Sequence, residues 1–339
     1  MKRLAIAFLT LVLLAAIGAG VAWTWLQREL SPIAESEAAA REIAYRVESG
    51  DSFWGVAAEL ERNGVIRNAR VARWFAQSED MASKLKIGDY RLSTASSTPE
   101  IFQALTEGRV ETHAVVIPEG FRASEIAARL EAAGLADADR FLTIVFDPAS
   151  PERFGVEGPT LEGYLFPDTY RFARGLPEER IVRAMVDQFL EVRREIADLD
   201  PDFALSMREH ATLASIVEKE TGAAHERPLI AAVFLNRMKR GMKLQTDPTV
   251  IYGIANFDGN LKRVHLEDAS NRYNTYAIRG LPPGPIASAG REALRAVVEP
   301  ADTPYLFFVS KNDGTHVFAR TNAEHERNVD EYQRRRRRR

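Results

Sequence analysis

The pattern of hydrophobic and polar positions begins with one long apolar run. Residues 4–26 contain no charged side chain, and as a helix they would span roughly 35 Å, more than the hydrocarbon core of about 30 Å. Lys2 and Arg3 precede the run, whereas residues 27–46 carry three basic and four acidic residues. The positive-inside rule therefore predicts a transmembrane helix at 4–26, with residues 1–3 in the cytoplasm and the bulk of the chain outside.

A cleaved signal peptide is the alternative interpretation of this run, because residues 16–19 are mostly small. Signal peptides have apolar cores of about 7–15 residues, which is shorter than the stretch from Leu4 to Leu26. The length favours a retained anchor that contacts membrane lipid through residues 4–26. Residues 27–43 would then form a linker.

The hydrophobic pattern that begins at Val47 recurs 70 residues later. Each copy predicts a short strand, a turn and a helix with apolar residues three and four positions apart, ending at Gly64 or Gly134. In the first copy a second amphipathic stretch and a strand follow, so residues 44–96 are predicted to form a strand–helix–helix–strand module. Residues 97–155 would form a second repeat-like module or a connector.

Three signatures characterise the first copy. They are the opening Val47-x-x-Gly50-Asp51-Ser52, the helical Ala57, Leu60 and Gly64, and the closing Leu85-x-x-Gly88-x-Tyr90-x-Leu92. With these signatures the segment resembles the LysM carbohydrate-binding module, which implies a βααβ fold and glycan binding. The alternative is a spacer module that holds a catalytic domain away from the membrane.

Aromatic residues, prolines and short polar motifs become dense from Leu161 onward. The composition of residues 161–170 predicts an ordered loop or strand edge rather than a helix. Glu162, Asp168 and Tyr170 are candidate substrate-binding residues, because rings stack on sugars and carboxylates accept hydrogen bonds from hydroxyl groups. An ordinary buried strand with satisfied acids is the alternative.

A helix is predicted over residues 205–221, with a glycine as its stop. At about 100° per residue, Glu220 falls within the apolar stripe formed with Ile216 and Val217, whereas Glu218 lies off that stripe. A carboxyl group among apolar side chains loses hydration, and the C-terminus of a helix disfavours its charge, so we expect a raised pKa for Glu220.

A glutamic acid that stays protonated near neutral pH can protonate a glycosidic oxygen. Glu220 is therefore the candidate catalytic acid. The alternative is that Glu220 belongs to a structural ion pair with Arg227 or Arg237.

Polar loop segments follow this helix, and their amide, carboxyl and hydroxyl groups suit recognition of the N-acetyl and hydroxyl groups of a sugar. The candidate binding residues are Gln245, Asp247, Tyr252, Asn274 and Tyr276. Residues 305–309 and 316–318, around a turn at 312–314, predict a β-hairpin. Together, these elements predict an α+β fold.

Charge and composition narrow the function classes. The chain has 45 basic and 48 acidic residues, but the segment before the linker and the arginine tail at 334–339 are cationic, so the remainder has a net charge of about −11. A body of this charge offers no basic face for nucleic acid. Without cysteine, thiolate chemistry and zinc–thiolate sites are excluded. The histidines show no helical metal-ligand pair, so we expect no metal or cofactor, and the tail receives no assigned function.

Four motifs carry a close resemblance to a known family. They are Ala214-Ser-Ile-Val-Glu-Lys-Glu-Thr221, Asn236-Arg237 with Leu244-Gln-Thr-Asp-Pro-Thr-Val-Ile-Tyr-Gly253, Tyr273-Asn-Thr-Tyr276, and Gly280-Leu-Pro-Pro-Gly284. With these motifs the chain resembles the endolytic murein transglycosylase family, the YceG-like group. The resemblance implies a single-pass inner-membrane enzyme with a YceG-like mixed α+β catalytic domain at 156–333 in the periplasm.

The resemblance also implies a reaction. The enzyme would cleave the MurNAc–GlcNAc β-1,4 bond within peptidoglycan glycan strands and leave 1,6-anhydro-MurNAc ends, near the cell-wall synthases as partners. Ile216-x-x-x-Glu220-Thr221 matches the pattern around the acid of lysozyme-like transglycosylases, which favours Glu220 and leaves Glu218 in reserve. The alternatives are a two-carboxylate hydrolase with Glu162 or Asp168 as the partner, and a non-catalytic peptidoglycan-binding scaffold.

Overall fold

The computed structural model describes residues 2–48 and 50–334. It is mixed α+β and divides into two compact units, one of residues 1–113 with 172–176 and one of residues 114–171 with 177–339. The domain boundaries expected from the sequence remain predictions. Of the basic tail, residues 335–339 lie outside the described residues.

The first unit begins with α1 (Lys2–Leu30). Within α1, the stretch Phe8–Leu30 is long and apolar enough to cross a membrane, by length and composition. The elements that follow are β1 (Glu42–Val47), α2 (Phe53–Arg62), α3 (Ala69–Ser78), β2 (Gly88–Ser93) and α4 (Thr98–Glu107).

The predicted order of strand, helix, helix and strand is present in the first unit. β1 and β2 pair antiparallel, with Tyr45 opposite Tyr90. Their inner faces, with α2, α3 and α4, enclose a core that includes Phe53, Leu60 and Phe102. The identity of this unit as a LysM module remains a prediction.

The chain passes between the two units through β3 (Thr112–Val116) and β4 (Thr169–Ala173), which pair in a sheet of their own. Gly64 after α2 and Gly134 after the first helix of the second unit both have φ of +66°. Glycine adopts this left-handed conformation without a Cβ penalty, which confirms the predicted glycine stops.

The second unit is mainly helical. Its elements are α5 (Ala123–Ala132), α6 (Ala138–Phe146), α7 (Ser150–Phe154), α8 (Glu178–Ala197), α9 (Met207–Glu220), α10 (Arg227–Lys239), α11 (Asp247–Tyr252), α12 (Arg263–Glu267), α13 (Arg291–Val298), β5 (Phe307–Ser310), β6 (His316–Ala319) and α14 (Asn322–Val329). The central helix α9 packs against α10 and α13, and its stretch from His210 to Val217 is entirely buried. β5 and β6 pair antiparallel, which confirms the predicted hairpin.

Candidate active site

Glu220 is the last residue of α9, which places its carboxyl group where the helix opens into a cavity. The helix begins with a capping box, in which Ser206 Oγ accepts from the Glu209 amide and the Glu209 carboxylate accepts from the Ser206 amide. It ends because Thr221 is extended, with φ of −144° and ψ of 135°. The predicted helix is confirmed, and Glu220 is half-buried at the end of its apolar face.

The cavity has a volume of about 510 Å³. Glu220 lies in its wall with the loop that leads into α11, and side chains of the β5–β6 hairpin and of α14, together with Arg237 and Tyr276, also line it. A volume of this size accommodates a small ligand or part of an oligosaccharide.

The environment of Glu220 favours its neutral form. Burial raises the pKa of Glu220 to about 7, and the nearby carboxylate of Asp247 acts in the same direction. The Thr246 hydroxyl donates a hydrogen bond to Glu220, and this bond, together with the positive charges of His316 and Arg237, lowers the pKa. Burial dominates, so a large fraction of Glu220 is protonated at neutral pH and can donate a proton.

Glu218 has a different environment two residues earlier. Its carboxylate lies 3.3 Å from Nη2 of Arg227 and accepts a hydrogen bond of 3.1 Å from the Gly290 amide. The side chains of Glu218 and Arg227 are only 7% and 11% exposed. Arg227, which was one possible ion-pair partner of Glu220, is thus paired with Glu218. This pair and the bond to Gly290 tie α9 to α10 and α13.

Arg237, the other possible ion-pair partner of Glu220, is buried beside the cavity. Its Nε donates to the Leu306 carbonyl and its Nη1 to the Leu244 carbonyl, each at 2.6 Å. Its guanidinium also lies 5.2 Å from the ring centre of Phe307. Arg237 therefore joins α10 to the hairpin and to the loop before α11, and it adds positive charge to the cavity wall.

The loop before α11 is held by the segment around Thr275. The Thr246 amide donates to Thr275 Oγ1 at 3.0 Å, and the Gln245 amide donates to the Thr275 carbonyl at 3.2 Å. Gln245 has a φ of +50°, a conformation that is uncommon for a residue with a Cβ. The Tyr276 hydroxyl donates to Asp247 Oδ1 at 2.7 Å.

Four of the residues selected from the sequence meet at this cavity, namely Glu220, Gln245, Asp247 and Tyr276. Asn274 is fully buried and donates to the carbonyls of His265, Leu266 and Asp268, while its Oδ1 accepts from the Tyr276 amide. Its polar groups are therefore engaged in organising the loop.

Glu162, which is buried, and Tyr252, which is half-buried, form a separate pair. One Glu162 oxygen accepts from the Ala123 amide at 3.0 Å, and the other accepts from the Tyr252 hydroxyl at 3.3 Å. Burial raises the pKa of Glu162 to about 7 as well. Asp168 is exposed and accepts from the Thr169 amide, and the Tyr170 hydroxyl donates to the Phe166 carbonyl at 2.7 Å.

Residues that were not selected from the sequence complete the cavity wall. They include Thr246, His316 and the ring of Phe307. Glu226 stands behind His316, with 2.7 Å between its Oε2 and Nδ1 of the ring. The predicted hairpin was the signal in the sequence that could have identified Phe307 and His316, because alternate positions of a strand share one face of the sheet.

A model of the YceG-like family matches residues 45–331. The endolytic murein transglycosylase of Bacillus subtilis (strain 168) is 30% identical over 308 residues, which cover 86% of this chain and 84% of that protein. The endolytic murein transglycosylase of Streptococcus pneumoniae serotype 2 is 26% identical over 370 residues, covering 98% of this chain and 65% of that longer protein.

A crystal structure of a protein described as YceG-like from Listeria monocytogenes matches with a TM-score of 0.55 and 32% sequence identity. The match covers 85% of this chain and 99% of that one. The family match, from residue 45 to residue 331, spans most of the chain. The chain therefore belongs to the YceG-like family.

Proposed function

We propose that this chain is a lytic transglycosylase that acts on the glycan strands of peptidoglycan. The observation that carries the proposal is the Glu220 carboxyl group in the wall of an open cavity, where burial raises its pKa to about 7. The name of the relatives, endolytic murein transglycosylase, supports the same substrate and reaction class.

In this reaction the Glu220 carboxyl protonates the oxygen that links MurNAc to GlcNAc, and the bond from C1 to that oxygen breaks. The C6 hydroxyl of the same MurNAc then bonds to C1 and loses its proton to a base, which leaves a 1,6-anhydro-MurNAc end. Water is not consumed. Gln245, Asp247 and Tyr276 supply the amide, carboxylate and hydroxyl groups that would bind the sugars on either side of the cleaved bond.

A hydrolase is the second candidate function, and the position of Asp247 favours it. Asp247 is a second carboxyl group in the wall of the same cavity, whereas Glu162 and Asp168, the partners considered from the sequence, have their own hydrogen bonds elsewhere. Hydrolases with two carboxyl groups place them about 5–5.5 Å apart for retention or 6.5–9.5 Å apart for inversion. In such an enzyme Asp247 would act as the nucleophile or the base.

Product analysis distinguishes the candidates. The full chain in detergent is incubated with purified peptidoglycan, and the soluble fragments are examined by mass spectrometry. A lytic transglycosylase releases anhydro ends, a hydrolase releases ends heavier by one water, and a non-catalytic scaffold releases neither. Internal cleavage shortens long strands before disaccharides accumulate, and Glu220→Gln should abolish all products.

The membrane position of the enzyme belongs to the same proposal. We assign α1 as a single-pass anchor in the bacterial inner membrane, with residues 1–3 cytoplasmic and the two units in the periplasm, where they would trim or terminate strands beside the synthases. The chain has no cysteine, so a single Ser36→Cys variant can be labelled without background. A membrane-impermeant maleimide should label intact spheroplasts, and protection of that thiol would reverse the assigned orientation.

Glycan binding by the first unit completes the proposal. Its βααβ order and its sequence signatures support a LysM-like module, which would hold the strand while the cavity cleaves it. A pull-down of the full-length Glu220→Gln variant with insoluble peptidoglycan, with and without the signature change Asp51→Ala, tests this role. Unchanged retention would favour the spacer alternative.

A further inference from the structure

The pair formed by His316 and Glu226 lies beside Glu220 and has no part in the reaction described so far. His316 is the first residue of β6 and lines the cavity. Its ring nitrogen Nδ1 lies 2.7 Å from Glu226 Oε2, and its backbone amide donates to Glu226 Oε1 at 2.8 Å. The two side chains are 12% and 4% exposed. The imidazole is therefore held in one orientation by a buried carboxylate.

The charge of Glu226 fixes which nitrogen carries the hydrogen. Burial alone would raise the pKa of Glu226, but hydrogen bonds from the backbone and ring of His316 outweigh it and the net shift is downward. An ionised carboxylate only accepts hydrogen bonds, so Nδ1 of His316 is the donor. In neutral His316 the lone pair is then on Nε2, the ring nitrogen left for the cavity that His316 lines.

We infer that His316, oriented by Glu226, is the base that takes the proton of the attacking C6 hydroxyl. This inference rests on the proposed transglycosylase function and assigns its second proton transfer. Glu220 keeps the first transfer. The inference gives the site an acid and a base, where a single carboxyl group would otherwise have to perform both steps.

The stereochemistry of the product supports this arrangement. The departing oxygen of a β-1,4 bond and the entering O6 of a 1,6-anhydro bridge both lie on the β face of C1. The acid and the base must therefore approach from the same side of the sugar. Glu220 and His316 line one cavity, and Thr221, next to Glu220 in the chain, donates to Glu226 at 3.4 Å, so a hydrogen bond connects the end of α9 to the carboxylate that orients His316.

The protons and bonds balance without another reactant. The C1–O4 bond breaks as the Glu220 proton passes to O4, and the O6–C1 bond forms as the O6 proton passes to Nε2 of His316. Glu226 remains a carboxylate and stabilises the imidazolium. The proton then returns from His316 to the Glu220 carboxylate across the cavity, which restores both groups.

The ionisable groups around His316 must be considered together, because interacting sites titrate as a set. They include Glu220 and Glu226. The other ionisable groups in the cavity lining are Arg237 of α10, Asp247 of α11, Tyr276, and His325 and Glu326 of α14. His225 lies beside Glu226. The positive charge of His316 lowers the pKa of Glu220, so loss of that charge would move the Glu220 titration to higher pH.

The test is the pH dependence of kcat/KM for the full chain on purified glycan strands. The wild type should lose activity on the alkaline side as Glu220 loses its proton. His316→Gln should lower kcat at least 100-fold, within the range of a lost general base. Glu226→Gln should lower kcat less, and the double variant should be no worse than His316→Gln alone.

Two controls separate a chemical role from a structural one. His225→Gln changes an exposed histidine next to Glu226 and should keep the kcat of the wild type. His316→Ala leaves space at the cavity wall, and added imidazole should restore part of its kcat. A folded His316→Ala protein that imidazole does not affect would overturn the inference, as would a folded His316→Gln protein with the kcat of the wild type.

Failure of this inference can be distinguished from failure of the proposed function. If the wild type released no anhydro ends, or if Glu220→Gln stayed active, the proposed function itself would be wrong. If the wild type makes anhydro ends, Glu220→Gln is inactive and His316→Gln retains wild-type kcat, only the assignment of His316 fails, and Glu220 performs both transfers.

Discussion

The two glutamates at the end of α9 should give opposite results when each is changed to glutamine. Glu220→Gln keeps the shape of the side chain but removes the proton that the leaving oxygen needs. Loss of a general acid lowers rates by about 10²–10⁴, which corresponds to about 3–5 kcal/mol in the activation barrier. Gln can still accept a hydrogen bond from Thr246, so we expect the thermal midpoint of unfolding to change little.

Glu218→Gln should instead reduce stability and spare the chemistry. Removing one member of a buried ion pair costs about 3–5 kcal/mol. Two features of the structure reduce this loss. Glu119 lies 3.5 Å from the same nitrogen of Arg227, and the amide oxygen of the new Gln can accept from Gly290. We therefore expect a loss of about 2 kcal/mol in the free energy of unfolding.

The assay combines thermal unfolding with turnover per folded molecule at a temperature where both variants are folded. Glu220→Gln should be stable and inactive, and Glu218→Gln should be less stable and active. A folded but inactive Glu218→Gln protein beside an active Glu220→Gln protein would refute the assignment. It would mean that a position on the apolar face of α9 does not identify which glutamate is the catalytic acid.

Three further predictions follow from the same contacts. Activity requires protonated Glu220, so kcat/KM should fall as pH rises through about 7, and Thr246→Val, which removes a hydrogen bond to Glu220, should move this limb to higher pH in rate measurements. The pKa of Glu162 is raised from 4.5 to about 7 in the folded chain, so the neutral carboxyl group stabilises the fold below about pH 4.5. About 3 kcal/mol of this stability should be lost as the pH rises from about 4.5 to about 7. Glu162→Gln should reduce this dependence of the unfolding free energy on pH in urea titrations, and an unchanged dependence would contradict the shift. Gly163 has φ of +80° and a Cβ there would lie 2.1 Å from a proline Cβ, whereas Gly259 has φ of +85° and open space. Gly163→Ala should therefore lower the thermal midpoint clearly more than Gly259→Ala, and equal losses would show that backbone strain alone matters.

Local signals in the sequence were sufficient for the elements that carry the acid. The apolar stripe of α9 and its end near Gly222 depend on neighbouring residues along one helix, and the structure places Glu220 as that stripe predicts. The hairpin after Tyr305 is likewise a local pattern, and its register pairs Ser310 with His316. Periodicity and turn residues determine features of this kind.

The function of a polar side chain could not be predicted in the same way, because it depends on which partner the fold supplies. Asn274 and Gln245 are both amides on loops, yet the first donates to three backbone carbonyls and the second lines the cavity. His316 and Glu226 are 90 positions apart. A contact over that separation leaves no periodic signal, so the pair emerges only from the three-dimensional structure.

Glu162 and Glu220 show why a raised pKa alone does not identify a catalytic acid. Burial raises the pKa of each to about 7, but Glu162 lies at the N-terminus of a helix and Glu220 at the C-terminus of another. Glu162 accepts from the Ala123 amide at the start of α5, where the helix favours negative charge and its hydrogen bond opposes the shift. Glu220 is at the end of α9, where the helix disfavours negative charge. Only Glu220 also lines the cavity, so among these two carboxyl groups of the described chain it alone combines a retained proton with a path to substrate.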